Sequence, residues 1–206
     1  MSKNKEKLIE QAATLTSHLV QTNINASTNR TAGEMAGPIA TKEEVGLIAQ
    51  RILQNADIEW GGFGQAPKFP QTFTIQMLLR NYHLNGDEAS LSHALHSIDK
   101  MMQGGIYDHL AGGFSRYSTD SYWQAPHFEK MLYDNALLIT VIAEAYQITK
   151  LEKYKLVIEK TIQFINTELS NESNAFFAAL DADSEGVEGK FYTWSYEEIK
   201  SLIDPE

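Results

Sequence analysis

Trp60-Gly-Gly-Phe-Gly-Gln-Ala-Pro-Lys-Phe-Pro70 is the stretch on which the reading of the fold turns. Its three glycines and two prolines forbid helix, while Trp60, Phe63 and Phe69 need an apolar surface to pack against. Ala66-Pro67 and Phe69-Pro70 favour an extended segment, which gives Lys68 a structural setting. Gly112-Gly-Phe114 repeats the core of the stretch about fifty residues later, the size of a helical-hairpin repeat.

Outward from these loops the apolar residues recur with helical period. Leu8, Ala12, Leu15 and Leu19 place a first helix at about Lys3 to Thr22, followed by a polar loop from Asn23 to Pro38. Thr41 with Glu44 forms a capping box for a second helix whose inward face is Val45, Ile48, Ala49, Ile52 and Leu53. Thr72 to Tyr82 is a third helix with Ile75, Leu78 and Leu79 inward. Asn85-Gly86-Asp87 turns the chain into a fourth, Glu88 to Met102, stopped by Gly104-Gly105. A long loop reaches Ala125. The spacing then predicts a fifth helix from His127 to Thr149, apolar nearly all round and so buried, and a sixth from Glu152 to Leu169. The sixth has Tyr154, Val157, Ile158, Ile162 and Ile165 inward. Ala175 to Leu180 and Lys190 to Trp194 flank an acidic segment and read as a short β-hairpin. Ser195 with Glu198 caps a last helix.

The fold class is therefore all-α: three helix pairs whose Gly-aromatic loops lie at one end. A solenoid and an α/α toroid both meet that description, and long loops on one side only favour the toroid. Seventeen Lys plus Arg against 27 Asp plus Glu give a net charge of -10. With no basic stripe, nucleic-acid binding is disfavoured. There is no cysteine, hence no disulfide and no thiolate metal site. Neither a signal-peptide core nor an 18-residue apolar run is present, so no membrane partner is expected and the setting is read as cytoplasmic.

Four motifs carry a resemblance. Gly61-Gly-Phe-Gly-Gln-Ala-Pro-Lys-Phe-Pro70, Gly105-Ile-Tyr-Asp-His-Leu-Ala-Gly-Gly-Phe-Ser-Arg-Tyr-Ser118, Pro126-His-Phe-Glu-Lys-Met-Leu-Tyr-Asp-Asn135 and Leu180-Asp-Ala-Asp-Ser-Glu-Gly-Val-Glu-Gly-Lys-Phe-Tyr192 resemble the spermatogenesis-associated protein 20 family. Its bacterial members are thioredoxin-domain-containing proteins. The resemblance runs from about Thr41 to Ile203. It implies a thioredoxin-like domain followed by a six-hairpin toroid similar to N-acylglucosamine 2-epimerases and six-hairpin glycosidases. This chain is expected to be a partial toroid of about three hairpins, 1–206, with a helix and polar loop over 1–40. It lacks the thioredoxin-like domain and stops about halfway round, so self-association, or association with the missing half, is expected.

Three groups of residues are candidates for chemistry. Tyr107, Asp108, His109, Arg116, Tyr117 and Trp123 combine rings that stack on a sugar with charged groups that bind its hydroxyls. Their structural alternative is a pinned loop, with Asp108 capping and Arg116 paired to a carboxylate. His127, Glu129, Lys130, Tyr133, Asp134 and Asn135 open the fifth helix. There the helix dipole favours a neutral His127, suited to general-base catalysis, or else these groups anchor neighbouring loops. Asp181, Asp183, Glu185, Gly186 and Glu188 are either an acid pair for glycoside hydrolysis or a solvated turn.

No metal or other cofactor is expected. His127 and Glu129 stand two apart, unlike the four-residue spacing of helical zinc ligands, and Tyr192 holds the position at which a calcium loop places glutamate. The functional expectation is a carbohydrate-binding or carbohydrate-active domain, epimerase-like or glycosidase-like. His127 or His109 would serve as base and Asp181 or Asp183 as acid, with Glu129 beside them. Tyr107, Tyr117 and Trp123 would stack on the sugar. The alternatives are a non-catalytic interaction domain serving a thioredoxin-like module, or a fragment without activity.

Overall fold

The computed structural model describes residues 2–27, 40–173 and 175–203. Residues 1–41 form one compact unit and residues 42–206 another. In the first, helix α1 (Ser2–Ser27) runs past the expected end at Thr22. Asn23 and Thr22 are weak helix formers, which lowers propensity without by itself stopping a helix. Ile9, Leu15, Leu19 and Val20 on α1 are exposed. The rest of the expected polar loop, 28–39, lies outside the described residues.

The second unit holds α2 (Lys42–Leu53), α3 (Thr72–Asn85), α4 (Glu88–Gln103), α5 (Leu132–Thr149), α6 (Glu152–Glu168) and α7 (Tyr196–Ile203). Short turns join α3 to α4 and α5 to α6, which pack as antiparallel hairpins, and α3 also lies against α2 and α5. Gly86 and Lys150 cap α3 and α5 in the left-handed conformation, their N–H groups donating to Tyr82 O and Tyr146 O. The core comprises the expected Ile75, Leu78 and Leu79 of α3, together with Ile98, Leu138, Ile142, Tyr154 and the loop residues Ile106, Phe114 and Trp123. Two expected inward residues are exposed, Ile48 and Ile162. On α6 the buried stripe is Tyr154, Val157, Thr161 and Phe164, which follows a slightly different helical line from the one the isoleucines suggest.

Helix α5 starts at Leu132, not at His127. Residues 126–131 are extended: Pro126–His127 pairs with Tyr117–Ser118 (β2 with β1), and Lys130–Met131 pairs with Ala179–Leu180 (β3 with β4). Hydrogen bonds to other loops thus outcompete the helical turn that the sequence period allowed. The expected hairpin is also redrawn. Asp183–Ser184 pairs with Val187–Glu188 (β5 with β6) around Glu185–Gly186, both at positive φ, while the 175–180 segment turns to β3 instead. Ser195 and Glu198 do form a capping box on α7: the Ser195 N–H and hydroxyl donate to Glu198 Oε2, and the Glu198 N–H donates to Ser195 Oγ.

The repeat in the loops is longer than Gly-Gly-Phe. Asp57-x-x-x-Gly-Gly-Phe63 and Asp108-x-x-x-Gly-Gly-Phe114 adopt the same turn. Asp57 Oδ1 accepts from the N–H groups of Glu59 and Trp60 at 3.1 and 2.9 Å. Asp108 Oδ1 accepts from Leu110 and Ala111, both at 2.9 Å. The other carboxylate oxygen binds a buried lysine, Lys68 to Asp57 at 2.5 Å and Lys130 to Asp108 at 2.8 Å. Each ammonium also lies over rings: Lys68 is 5.0 Å from Trp123, and Lys130 is 4.6 Å from Phe164 and 5.0 Å from Tyr192. Burial by itself would raise the pKa of both aspartates, but the lysine and the backbone N–H donors outweigh it and hold them below the ordinary value. A third turn carries Asn171, whose Oδ1 accepts from Ser173 and Ala175. Being neutral, it needs no lysine.

The glycines let these turns sit against the helices. A Cβ at Gly112 would lie 2.6 Å from Lys160 O on α6, and one at Gly113 only 2.4 Å from the Phe164 ring. Gly64 has a similar positive φ but open space around it. Gly113→Ala therefore loses more than about 2 kcal/mol, from overpacking added to backbone strain, whereas Gly64→Ala loses about 1 kcal/mol. Urea unfolding midpoints check this, and equal losses would refute the close-packing argument.

Candidate functional site

The connections from α2 to α3, α4 to α5 and α6 to α7 all emerge at one end of the hairpins, and every candidate residue lies there. The first group divides by burial. Trp123 and Tyr107 are 0% and 5% exposed. The Trp123 Nε1–H donates to Trp60 O at 2.8 Å, and the ring covers Lys68. Tyr107 packs against Phe114 and His109. Both rings are buried pins: Gly62 closes over Trp123, and Tyr107 is enclosed by its neighbours. Asp108 is committed to its turn and to Lys130. His109 is exposed, its Nε2 3.1 Å from Gly104 O. From the second group, buried Asn135 bonds the Phe114 backbone on both sides, accepting from its N–H at 2.7 Å and donating to its carbonyl at 3.0 Å. Asp108 and Asn135 thus anchor their loops.

The rest of the first two groups converge. Extended residues 127–130 alternate, so His127 and Glu129 face one side and Phe128 and Lys130 the other. Arg116 Nη1 donates to Glu129 Oε2 at 3.0 Å. His127 Nδ1 stands 2.7 Å from Glu188 Oε1, and its Nε2 is 3.8 Å from Glu129 Oε2. The His127 ring stacks on Tyr117 with centroids 4.8 Å apart, and Tyr117 packs against Phe69. His127 is half-buried at its strand, away from any helix end, so the dipole argument for it lapses. Its environment is set instead by two carboxylates and a ring. Glu188 completes this centre from β6. Only the hairpin's true register puts it there, so reading the acids as one cluster does not single it out.

Tyr133 and Asp134 border the centre at the start of α5. Asp134 Oδ2 and Arg116 Nε are shut off from solvent without a hydrogen-bond partner. Burial, with a contribution from Glu129, pushes the Asp134 carboxyl up to about 6, although Arg116 and Tyr133 pull the other way. Asp181 and Asp183 do not join His127. They line a separate cavity of about 330 Å3 with Lys130, Phe164, Glu168 and Tyr192. Among the described residues no group of three or more His, Asp or Glu is arranged to hold a metal ion. No helix of the described residues is long and apolar enough to cross a membrane.

A carboxyl whose pKa is raised by folding favours the folded state in its protonated form. Its contribution is full below about pH 4 and is lost as pH rises through about 6. Asp134→Asn removes that dependence. The variant's melting temperature should exceed that of the parent by roughly 2–6 °C at pH 7.5 and match it near pH 4. A constant difference across that range in a calorimetric pH series would refute the assignment.

No protein-family model matches the chain. Curated relatives do. Spermatogenesis-associated protein 20 of Mus musculus is 35% identical over 97% of this chain, and that of Homo sapiens 34% over the same share. The chain spans 26% of the length of either relative. Among solved structures it superposes on the cellobiose 2-epimerase of Spirochaeta thermophila with a TM-score of 0.57 at 15% identity, covering 70% of this chain and 42% of that one. The cellobiose 2-epimerase of Bacillus thermoamylovorans gives 0.55 at 17%, covering 66% and 41%. At such identities the likeness establishes the fold, a mostly helical α/α-toroid arrangement with short β-hairpins. Along nearly its whole length, then, this chain is similar to a quarter-length stretch of spermatogenesis-associated protein 20, and it shares the α/α-toroid fold of the sugar epimerases.

Proposed function

We propose that this is a sugar-active domain of the epimerase-like kind, which takes a reducing sugar at the His127 centre. The observation that carries the reading is His127 held between Glu188 and Glu129 over the Tyr117 ring, with Arg116 fixed on Glu129. A carboxylate on one ring nitrogen orients an imidazole and stabilises the cation it becomes on taking a proton. His127 is accordingly the base that removes the proton alpha to the carbonyl of the open-chain sugar. Arg116 favours the negative charge that grows on the carbonyl oxygen. Tyr117 and Phe69 supply the aromatic surface. Fold kinship with two cellobiose 2-epimerases supports this class of reaction over glycoside hydrolysis. So does the position of Asp181 and Asp183, which line another cavity. The cysteine-free sequence accords with a cytoplasmic setting, which we propose with it.

One observation favours the non-catalytic alternative. Phe73 on α3 and Leu47 and Ile48 on α2 are 69%, 56% and 47% exposed, apolar side chains that another protein or another part of a toroid would cover.

Proton removal at carbon leaves a signature in deuterated water. A panel of reducing sugars, cellobiose among them, should contain at least one that raises the melting temperature and gains deuterium at C2. His127→Ala should slow that exchange by about 100-fold or more, and Glu188→Gln by less. Absence of both thermal shift and exchange across the panel would refute the reading and leave the interaction role.

A further inference from the structure

Behind the His127 centre, the even-numbered residues of the 127–130 segment face a second space. Phe128 stacks on Tyr192 with centroids 5.3 Å apart, and the Lys130 ammonium lies over that same Tyr192 ring. The cavity of about 330 Å3 opens beyond them, at the lower end of the size range of small-ligand sites. Its wall combines Lys130 and Asp108 with the Phe164 and Phe191 rings and the carboxylates of Asp181 and Asp183.

The duplicated turn supplies an internal comparison. Lys68 and Lys130 make the same bond to an aspartate, and both are buried, at 0% and 2% exposed. Lys68 is sealed beneath Trp123, whereas Lys130 is part of the wall of the cavity. Locking a turn is common to both, so facing a ligand-sized space is what the second copy has in addition. Burial pulls the Lys130 pKa down by more than the attraction of Asp108 raises it, which increases the share of neutral amine.

We propose that Lys130 forms an imine with the open-chain aldehyde of a sugar or small hydroxyaldehyde held in this cavity. Asp108 Oδ2, 2.8 Å from Nζ, takes a proton from the ammonium. The freed lone pair makes the C–N bond to the carbonyl carbon, the carbonyl π electrons move to oxygen, and that oxygen takes the second N–H proton to give a neutral carbinolamine. Asp108 then returns its proton to the hydroxyl, which departs as water while the nitrogen lone pair closes the C=N bond. One ammonium and one aldehyde thus become one protonated imine and one water, with nothing oxidised or reduced. Asp181, Asp183 and Glu168 accept hydrogen bonds from the hydroxyls, and Phe191 covers an apolar face. The sugar as occupant rests on the reading of the neighbouring centre; the reactive lysine does not.

The test is borohydride trapping on the full chain, followed by peptide mass mapping, with two probes in separate arms. One probe is a sugar from the thermal-shift panel, and the other is glycolaldehyde. In both arms Lys130 should be modified at least tenfold faster than sealed Lys68 and exposed Lys155. Lys130→Arg, which keeps the charge, should lose that adduct, and Lys68→Arg should keep it. Because wild-type mapping locates the adduct directly, the result stands even if Lys130→Arg folds poorly. A sugar that raises the melting temperature while Lys130 stays unmodified in both arms overturns the imine and spares the sugar reading. A Lys130 adduct from glycolaldehyde, with no thermal shift from any sugar, supports the imine and counts against the sugar. Labelling of Lys130 no faster than Lys155 overturns the proposal outright.

Discussion

A buried ammonium on a half-buried carboxylate, used twice, is the constraint on which the loop end of this protein depends. Taking either charge out of water alone would cost several kcal/mol. Together, Lys68 with Asp57 and Lys130 with Asp108 meet that cost through short hydrogen bonds, backbone donors and aromatic faces. Each aspartate also shapes a Gly-Gly turn, and each turn lies on the helix behind it so closely that only glycine fits. Removing one partner would leave the other charged and unpaired, a loss of about 3–5 kcal/mol. The loops are long, but these pairs make them part of the core.

From that arrangement the functional geometry follows. Lys130 must reach Asp108, so the segment that bears it is pulled extended along Leu180 and cannot wind into α5. Once extended, the segment sends alternate side chains to opposite sides. His127 and Glu129 meet Arg116, Tyr117 and Glu188 on one, while Phe128 and Lys130 meet Tyr192 on the other. The β5–β6 hairpin serves both, since Asp183 on one strand borders the cavity and Glu188 on the other binds His127.

Much of the fold is legible in local pattern. Ile75, Leu78 and Leu79 mark the buried face of α3 by their spacing, and the Gly-Gly-Phe stretches mark the ends of hairpins fifty residues apart. The start of α5 was not legible, because His127, Lys130, Met131 and Asp134 fit a helical face as well as they fit a strand. What decides between them is hydrogen bonding to residues 117–118 and 179–180, and sequence spacing carries no information about such distant partners. Trp123 and Tyr107 misled for a similar reason. A ring in a glycine-rich loop is equally suited to stacking on a ligand and to plugging the core, and only burial tells the two apart.

The sequence by itself determined the helices, the α3–α4 and α5–α6 hairpins, the one-sided loops and the pool of polar and aromatic residues those loops contain. These depend on contacts a few residues apart, where periodicity and turn chemistry act. Tertiary structure alone decided which members of the pool meet. Glu188 is 61 residues from His127, and Lys130 is 22 from Asp108. Such pairs come together only when packed helices and glycine-tight turns bring distant segments into register, and burial then fixes which charges must be partnered.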